Sequence, residues 1–248
     1  MKKLLIIIAI LFQTTIAQNM FKDVEFVIGY NRSTLVSNES FPVENFGNIN
    51  HYYNGNVYFG VTSEIFPSYH IGMTYIKRGT RETQNVEDLY NYPDGDQMYT
   101  DVKIENIHIL NYLSISGYKA YNISNSFSIQ GGVYCDLYLD GKIKVKEDWY
   151  VEYYYNDSGY IETYSEILED TIEFYDMYLK EPNSIDIGFQ IGLDINLTNH
   201  ISANAIYQYG FLEAHEISYE GSDYKNGWKN RSINFQLNMD LINMIAKK

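Results

Sequence analysis

Cysteine occurs once in this chain of 248 residues, at Cys135. No internal disulfide can form, and a thiolate-based metal site is excluded. Proline occurs four times and tryptophan twice. Basic residues are scarce: 18 Lys and Arg stand against 32 Asp and Glu, for a net charge of −14. Such a surface is unsuited to nucleic acid, which needs a basic face. Beyond the first residues no apolar run approaches the ~20 residues of a membrane-spanning helix. A chain of this kind enters a membrane only as a closed barrel, because lipid cannot satisfy an open sheet edge.

The exception is the beginning, "MKKLLIIIAILFQTTIAQ". Lys2 and Lys3 precede a short apolar core from Leu4 to Phe12, and Thr15-Ile16-Ala17 offers a cleavage site. This is the layout of a secretory signal, so 1–17 is expected to be removed on export. Without Lys2 and Lys3 the net charge falls from −14 to −16. The remainder, 18–248, reads as one domain.

What the chain does have is tyrosine, 26 of them, and a period of two. "SIDIGFQIGLDINLT" shows it most plainly: Ile185, Ile187, Phe189, Ile191, Leu193 and Ile195 alternate with Asp186, Gly188, Gln190, Gly192 and Asp194. Alternation on this scale marks a strand with one oily and one polar face. Seven other segments share it: "DVEFVIGYN", "NVYFGVTSEIF", "YHIGMTYIKRG", "IHILNYLSIS", "FSIQGGVYCDLYL", "ISANAIYQYGF" and "SINFQLNMDL". In the fourth, Leu110 and Asn111 interrupt the alternation and leave its register open.

Spacing adds the topology. The connections "PS", "GYKAYNISNS" and "NLTNH" are short, whereas 32–55, 81–101, 140–183 and 212–230 are long. Strict alternation of short and long predicts an all-β, eight-stranded, antiparallel up-and-down barrel with tight turns at one end and large loops at the other. A lipocalin-like soluble barrel has the same strand count, but its outer face carries Lys and Glu. Here the polar face is mostly Gly, Ser, Thr, Asn and Gln, which suits a narrow lumen, and the other face is bulky and almost uncharged, which suits lipid. Tyr30, Tyr75, Tyr207, Tyr209 and Phe211 fall toward the long-loop end of that face, where an aromatic girdle belongs. The barrel is therefore expected to be a transmembrane one in the outer membrane, with membrane lipid as its first partner.

The segments also carry a resemblance. "GYNRSTL", "GVTSEIFPSYHIGMTYIKRGTR", "LNYLSISGYKAYNISNSFSIQGGVYCDLYLDGK", "IDIGFQIGLDINLTNHISANAIYQYGF" and "KNRSINFQLNM" occur in the order seen in the PorT-like outer-membrane β-barrel family of Bacteroidetes, and they span nearly all of 18–248. The resemblance implies an eight-stranded barrel with both termini in the periplasm, and no assigned activity. Two departures stand out. Ser114-Ile115-Ser116 replaces the Glu-Ile-Pro often found in the fourth strand, and the chain ends "INMIAKK" without a terminal aromatic residue.

Candidate functional residues sit in two places. A lumen network is expected from Glu25, Glu64, His70, Arg78, Asp136, Asp186, Gln190 and Asp194. Eight strands leave just enough room for side chains, so these groups are read as a hydrogen-bonded plug rather than an ion path. The segment 140–183 holds 12 acidic residues, 4 Lys and 8 Tyr. Its alternating "KIKVKEDWYVEYYY" and "YIETYSEI" suggest a hairpin above the membrane, and Tyr-rich surfaces favour binding. An extracellular or envelope protein partner is expected there. "PDGDQMYTD" brings Asp94, Asp96 and Asp101 together but lacks the Glu of a calcium loop, and is read as a solvated acidic loop. No catalytic, cofactor or metal site is expected. A rim enzyme using His51 or His215 is the alternative from another class, and a narrow solute channel is the third.

Overall fold

The computed structural model describes residues 24–37, 50–173, 184–212, 215–218 and 225–240. It contains β1 (Val24–Ser37), β2 (Asn50–Phe66), β3 (Tyr69–Arg78), β4 (Thr80–Asn91), β5 (Gln97–Ser124), β6 (Phe127–Tyr155), β7 (Tyr160–Glu173), β8 (Ile185–Thr198), β9 (Ile201–Gly210), β10 (His215–Ser218) and β11 (Lys225–Met239). The proposed leader and the last eight residues lie outside the described part.

Eight of these strands close on themselves. Each of the pairs β1–β2, β2–β3, β3–β5, β5–β6, β6–β8, β8–β9, β9–β11 and β11–β1 is antiparallel. The register can be followed around the ring from Val24 to Ser63, Ile71, Gly117, Val133, Phe189, Tyr209, Arg231 and back to Thr34. One circuit thus lands ten residues further up β1 (Val24 to Thr34). That stagger tilts the strands by roughly 35–45° and fixes the bore.

Two-residue turns close one end, at Pro67-Ser68, Asn125-Ser126 and Asn199-His200. Pro67 presets the first turn position, and Ser68 takes φ +67°, a type II pattern. The ten-residue connection expected at "GYKAYNISNS" is instead mostly strand. Its Gly117, Lys119 and Ala120 mask the alternation, yet Tyr69 to Ile71 pair with Lys119 to Gly117.

The other end differs from a set of loops. The segment 81–101 is a hairpin, β4 turning into β5 at 92–96. β6 continues to Tyr155 and pairs with β7 from Lys142 to Tyr155. Together β4, upper β5, upper β6 and β7 form a four-stranded blade standing on the barrel rim. From Leu110 to Gln97 it is about 40 Å long, at ~3.3 Å per residue.

A bulge resolves the break seen at Leu110 and Asn111. Asn111 pairs with Asp140 but Tyr112 with Tyr138, so Leu139 is extra on β6. β5 keeps its alternation, with Leu110, Tyr112 and Ser114 all buried. On β6 the inward parity switches, from Tyr134 and Asp136 to Ile143. One inserted residue therefore turns the other side of the strand inward.

β3 and β4 form a single bent strand joined by Gly79, which takes φ +150°. A Cβ there would lie 1.9 Å from the His108 carbonyl oxygen. The bend lets the Gly79 N–H donate to the Ser33 hydroxyl across the bore at 2.9 Å. Gly79→Ala is expected to cost about 1–3 kcal/mol. A lowered urea midpoint of the detergent-refolded barrel checks this; an unchanged midpoint would show that the bend tolerates a side chain.

Candidate functional site

The strand faces sort as the alternation implies. Asp186 and Gln190 on β8 are buried, while Ile185, Ile187, Phe189, Ile191, Leu193 and Ile195 are exposed at 38–53%. The lumen is more apolar than the sequence reading anticipates. Val27, Tyr58, Ile76, Leu110, Tyr112 and Ile143 form one buried cluster inside it.

Arg78 is the centre of the polar part. It is fully buried, with Nε 2.6 Å from Asp136 Oδ2, itself fully buried. Nη1 donates to Ser232 Oγ at 2.5 Å and Nη2 to Gln208 Oε1 at 2.8 Å. The guanidinium lies 5.0 Å from the centre of the Tyr134 ring. Asp186 pairs in register with Asp136 and accepts from Asn230 at 2.8 Å and from the Tyr134 hydroxyl at 3.4 Å. Gln190 accepts from Gln208 at 2.9 Å, and Asn234 donates to Gln208 at 2.7 Å. Five strands, β3, β6, β8, β9 and β11, thus meet across the bore through one cation. Charge-assisted bonds of this kind are strong in a low-dielectric interior.

A second polar group lies toward the tight-turn end. Asn238 donates to Glu25 at 3.1 Å, Ser128 to Asp194 at 3.3 Å, and His70 stacks on Tyr118 with ring centres 4.9 Å apart. Between the groups is a cavity of about 30 Å³ beside Thr62, Ser116, Tyr118 and Gln236, room for a water or two. Glu64 stands directly cross-strand from His70 in the second group, and it also accepts from the Ser68 N–H at 2.6 Å, bracing the turn. The expected single network is therefore two clusters. Asn230, Ser232, Gln208, Asn234 and Tyr134, absent from the sequence-based set, complete the Arg78 cluster. Their parity puts them on the polar face, but parity cannot say which residues meet across a bore.

The blade confines its cations to one face, while acids lie on both. Arg81, Lys103, Lys142, Lys144 and Lys146 all point outward, where Arg81 meets Glu105 at 2.7 Å and Lys146 lies 3.8 Å from Glu169. The lumen-side face carries no Lys or Arg among the described residues. It offers Tyr90, Trp149, Tyr153 and Tyr164 among Glu82, Asp88, Glu147, Glu162, Glu166 and Asp170. Tyr164 donates to Glu166, and that hydrogen bond raises its pKa above the ordinary phenol value. At the tip, Asp96 accepts from the Asn156 N–H at 2.8 Å, and Asn156 donates to the Asp94 carbonyl at 3.4 Å. Asp94 and Asp96 thus help tie the two hairpin tips together; Asp101 lies on the outward face opposite Tyr150. His51 and His215 fall on β2 and β10, and their side chains lie outside the described part.

The fold defines a closed eight-stranded antiparallel barrel with a β-sheet extension. Among solved structures it is similar to Ail, the attachment invasion locus protein of Yersinia pestis, with 12% identity over 87% of this chain and 96% of that one, TM-score 0.34. It is similar to Neisserial surface protein A, with 10% identity, 88% and 97% coverage, and TM-score 0.37. CarO of Acinetobacter baumannii shares 7% identity over 85% and 96%, TM-score 0.32. No family model matches the sequence, and no curated protein matches it.

Arg78→Met strands Asp136 beside Asp186 and is expected to cost about 3–5 kcal/mol, whereas Arg78→Met with Asp136→Leu should cost less than the single change. Urea unfolding of the two variants in micelles checks the order; a double variant no more stable than the single one contradicts it.

Proposed function

We propose that this chain is an integral outer-membrane barrel, exported by residues 1–17, that holds the blade outside the cell as a non-enzymatic structural or binding element. The observation that carries this is the outward face of the ring. Tyr30, Val57, Phe59, Ile71, Val133, Phe189, Ile191, Leu193, Phe235 and Leu237 stand 38–64% exposed. An apolar belt around a closed barrel is far larger than the patches water-exposed monomers tolerate, and closure leaves no unpaired edge in lipid. Clustered rings at Phe189, Tyr209 and Phe211, with centres 5.6–6.3 Å apart, supply part of a girdle. The blade stands at the end opposite the two-residue turns, which matches long extracellular and short periplasmic connections.

The filled bore at Arg78 supports an anchor rather than a channel. The ordered motifs support placing the chain with the PorT-like barrels. The lumen-side face of the blade, aromatic and acidic without cations, supports binding of an envelope or extracellular protein partner there.

Protease treatment of intact cells tests the placement. Cleavage within 140–183 with the barrel protected in the membrane fraction is expected; soluble periplasmic protein would refute it. Ile187→Arg or Ile191→Arg, near mid-belt, should each cost about 2–4 kcal/mol and lower the membrane-inserted fraction. Replacing His51 and His215 together by Ala should leave the function of the chain unchanged; loss of an activity with the barrel intact would favour the enzyme reading.

A further inference from the structure

The outward face changes character abruptly at the long-hairpin end of the belt. On β1 the outward sequence is Phe26, Ile28, Tyr30 and then Arg32. On β3 it is Ile71, Met73, Tyr75 and then Lys77. On β11, read in the same direction, it is Leu237, Phe235, Ile233 and then Arg231. Each cation stands one outward position beyond the last belt residue. The three strands lie side by side in the ring with only β2 between β1 and β3. Register holds Arg231 and Arg32 together, since Arg32 pairs with Ile233 and Arg231 with Thr34.

No Asp or Glu occupies an outward position on the described parts of these strands or on β2 beside them. Among the described residues, none of the three cations has a carboxylate partner. The two arginines instead lie over aromatic rings, Arg32 at 5.8 Å from the Tyr53 ring centre and Arg231 at 5.1 Å from that of Tyr209. Stacking fixes a guanidinium while leaving its in-plane N–H groups free to donate. Arg231 Nε is buried and has no hydrogen-bond partner among the described residues. Between Arg32 and Lys77 the wall carries Gly55, which pairs with Arg32. A Cβ at Gly55 would meet the Tyr30 hydroxyl at 1.8 Å, so the floor there is a glycine crossed by a tyrosine ring.

We propose that Arg32, Lys77 and Arg231 form a binding arc for the phosphate of an outer-leaflet glycolipid, with the acyl chains lying on the belt below. The proposal rests on the membrane placement given above. A lipid fits better than a soluble polyanion because the cations are continuous with exposed Tyr30, Phe59, Ile233 and Phe235. A ligand carrying phosphate and acyl chains on one molecule satisfies both surfaces. Phosphate accepts paired charge-assisted hydrogen bonds from fixed guanidinium groups, and lysine adds a mobile charge from the next strand but one.

The contrast within the molecule argues the same way. On the blade, Arg81 and Lys146 are already neutralised by Glu105 and by Asp148 and Glu169. Lys119, near the tight turns, is held between Tyr69 and Tyr121 and has no basic neighbour in its row. At the long-hairpin edge of the belt three cations gather with no ion pair among the described residues; the acid nearest Lys77 in register, Asp140, stands two strands away and is hydrogen-bonded to Asn111.

The full-length protein, refolded from urea into phosphatidylcholine vesicles, gives insertion by protease protection. Titration of diphosphoryl lipid A into detergent-solubilised protein, followed by native mass spectrometry, gives the affinity. The triple variant R32Q/K77Q/R231Q should insert as the unaltered chain does, bind lipid A about tenfold more weakly or worse, and lose the salt dependence of binding. R32K/R231K, which keeps the charge but loses the guanidinium fork, should bind with an affinity between those of the unaltered chain and the triple variant. If the triple variant does not refold, Lys77→Gln alone carries the test and should weaken binding about threefold. Equal affinity in the charge-removed variants overturns the arc. Displacement of lipid A by an equal concentration of inositol hexakisphosphate also overturns it, by showing a soluble-polyanion site. Failure of the unaltered chain to insert into phosphatidylcholine sinks the membrane placement itself, a result distinct from either of these.

Discussion

Pairing between the first and last strands is the constraint on which the rest depends. β1 meets β11 from Phe26–Met239 to Ser37–Trp228, and this seam converts a meander into a ring. An open sheet of the same strands would expose two rows of unpaired backbone groups, which water tolerates and lipid does not. Closure with a ten-residue stagger also sets the bore. Inward residues then have no choice but to meet, and Gly188, Gly192 and Gly210 leave room for Tyr134, Gln130 and Asp186.

The interior is filled by a mixture. Tyrosines and aliphatic residues pack around one arginine whose donors are taken up by Asp136, Gln208 and Ser232. A cation with this number of partners is costly to strand and geometrically specific. It holds strands distant in sequence in one register, and so complements the backbone ladder. The cost of its burial is offset by partners contributed from opposite walls, which only the closed ring brings within reach.

Rigidity below and reach above describe the division of labour. The bulge at Leu139 and the bend at Gly79 lie where the barrel gives way to the blade. Below them, inward side chains touch one another across the bore; above them, the same face still buries Val102, Ile143 and Val151, while Tyr90, Glu162 and Glu166 stand exposed. The blade continues the barrel's hydrogen bonding without interruption along β5 and β6, so a surface about 40 Å long is carried on a firm base. Its two faces differ in charge because one continues the lumen wall and the other continues the membrane face, past the row of cations at the edge of the belt.

Much of this was legible in the sequence. Alternation at Ile185–Ile195 and its seven counterparts fixes which residues point together, because side chains on a strand change face at every residue. The rhythm of short and long connections fixes the up-and-down order. The break at Leu110 and Asn111 reflects an apolar residue facing inward and a polar one facing outward on a strand that keeps its alternation; the change of register beside it comes from an extra Leu139 on the partner strand, which no pattern within β5 could reveal. What tertiary structure alone decided is contact across the bore and around the ring. Among the eight candidates it made Arg78 the centre of one cluster, and it recruited Asn230 and Ser232 to that cluster. It also gathered Arg32, Lys77 and Arg231 from positions as much as 199 residues apart. Periodicity is a local property of the chain, whereas the partner of an inward or outward side chain depends on stagger, and stagger exists only once the ring has closed.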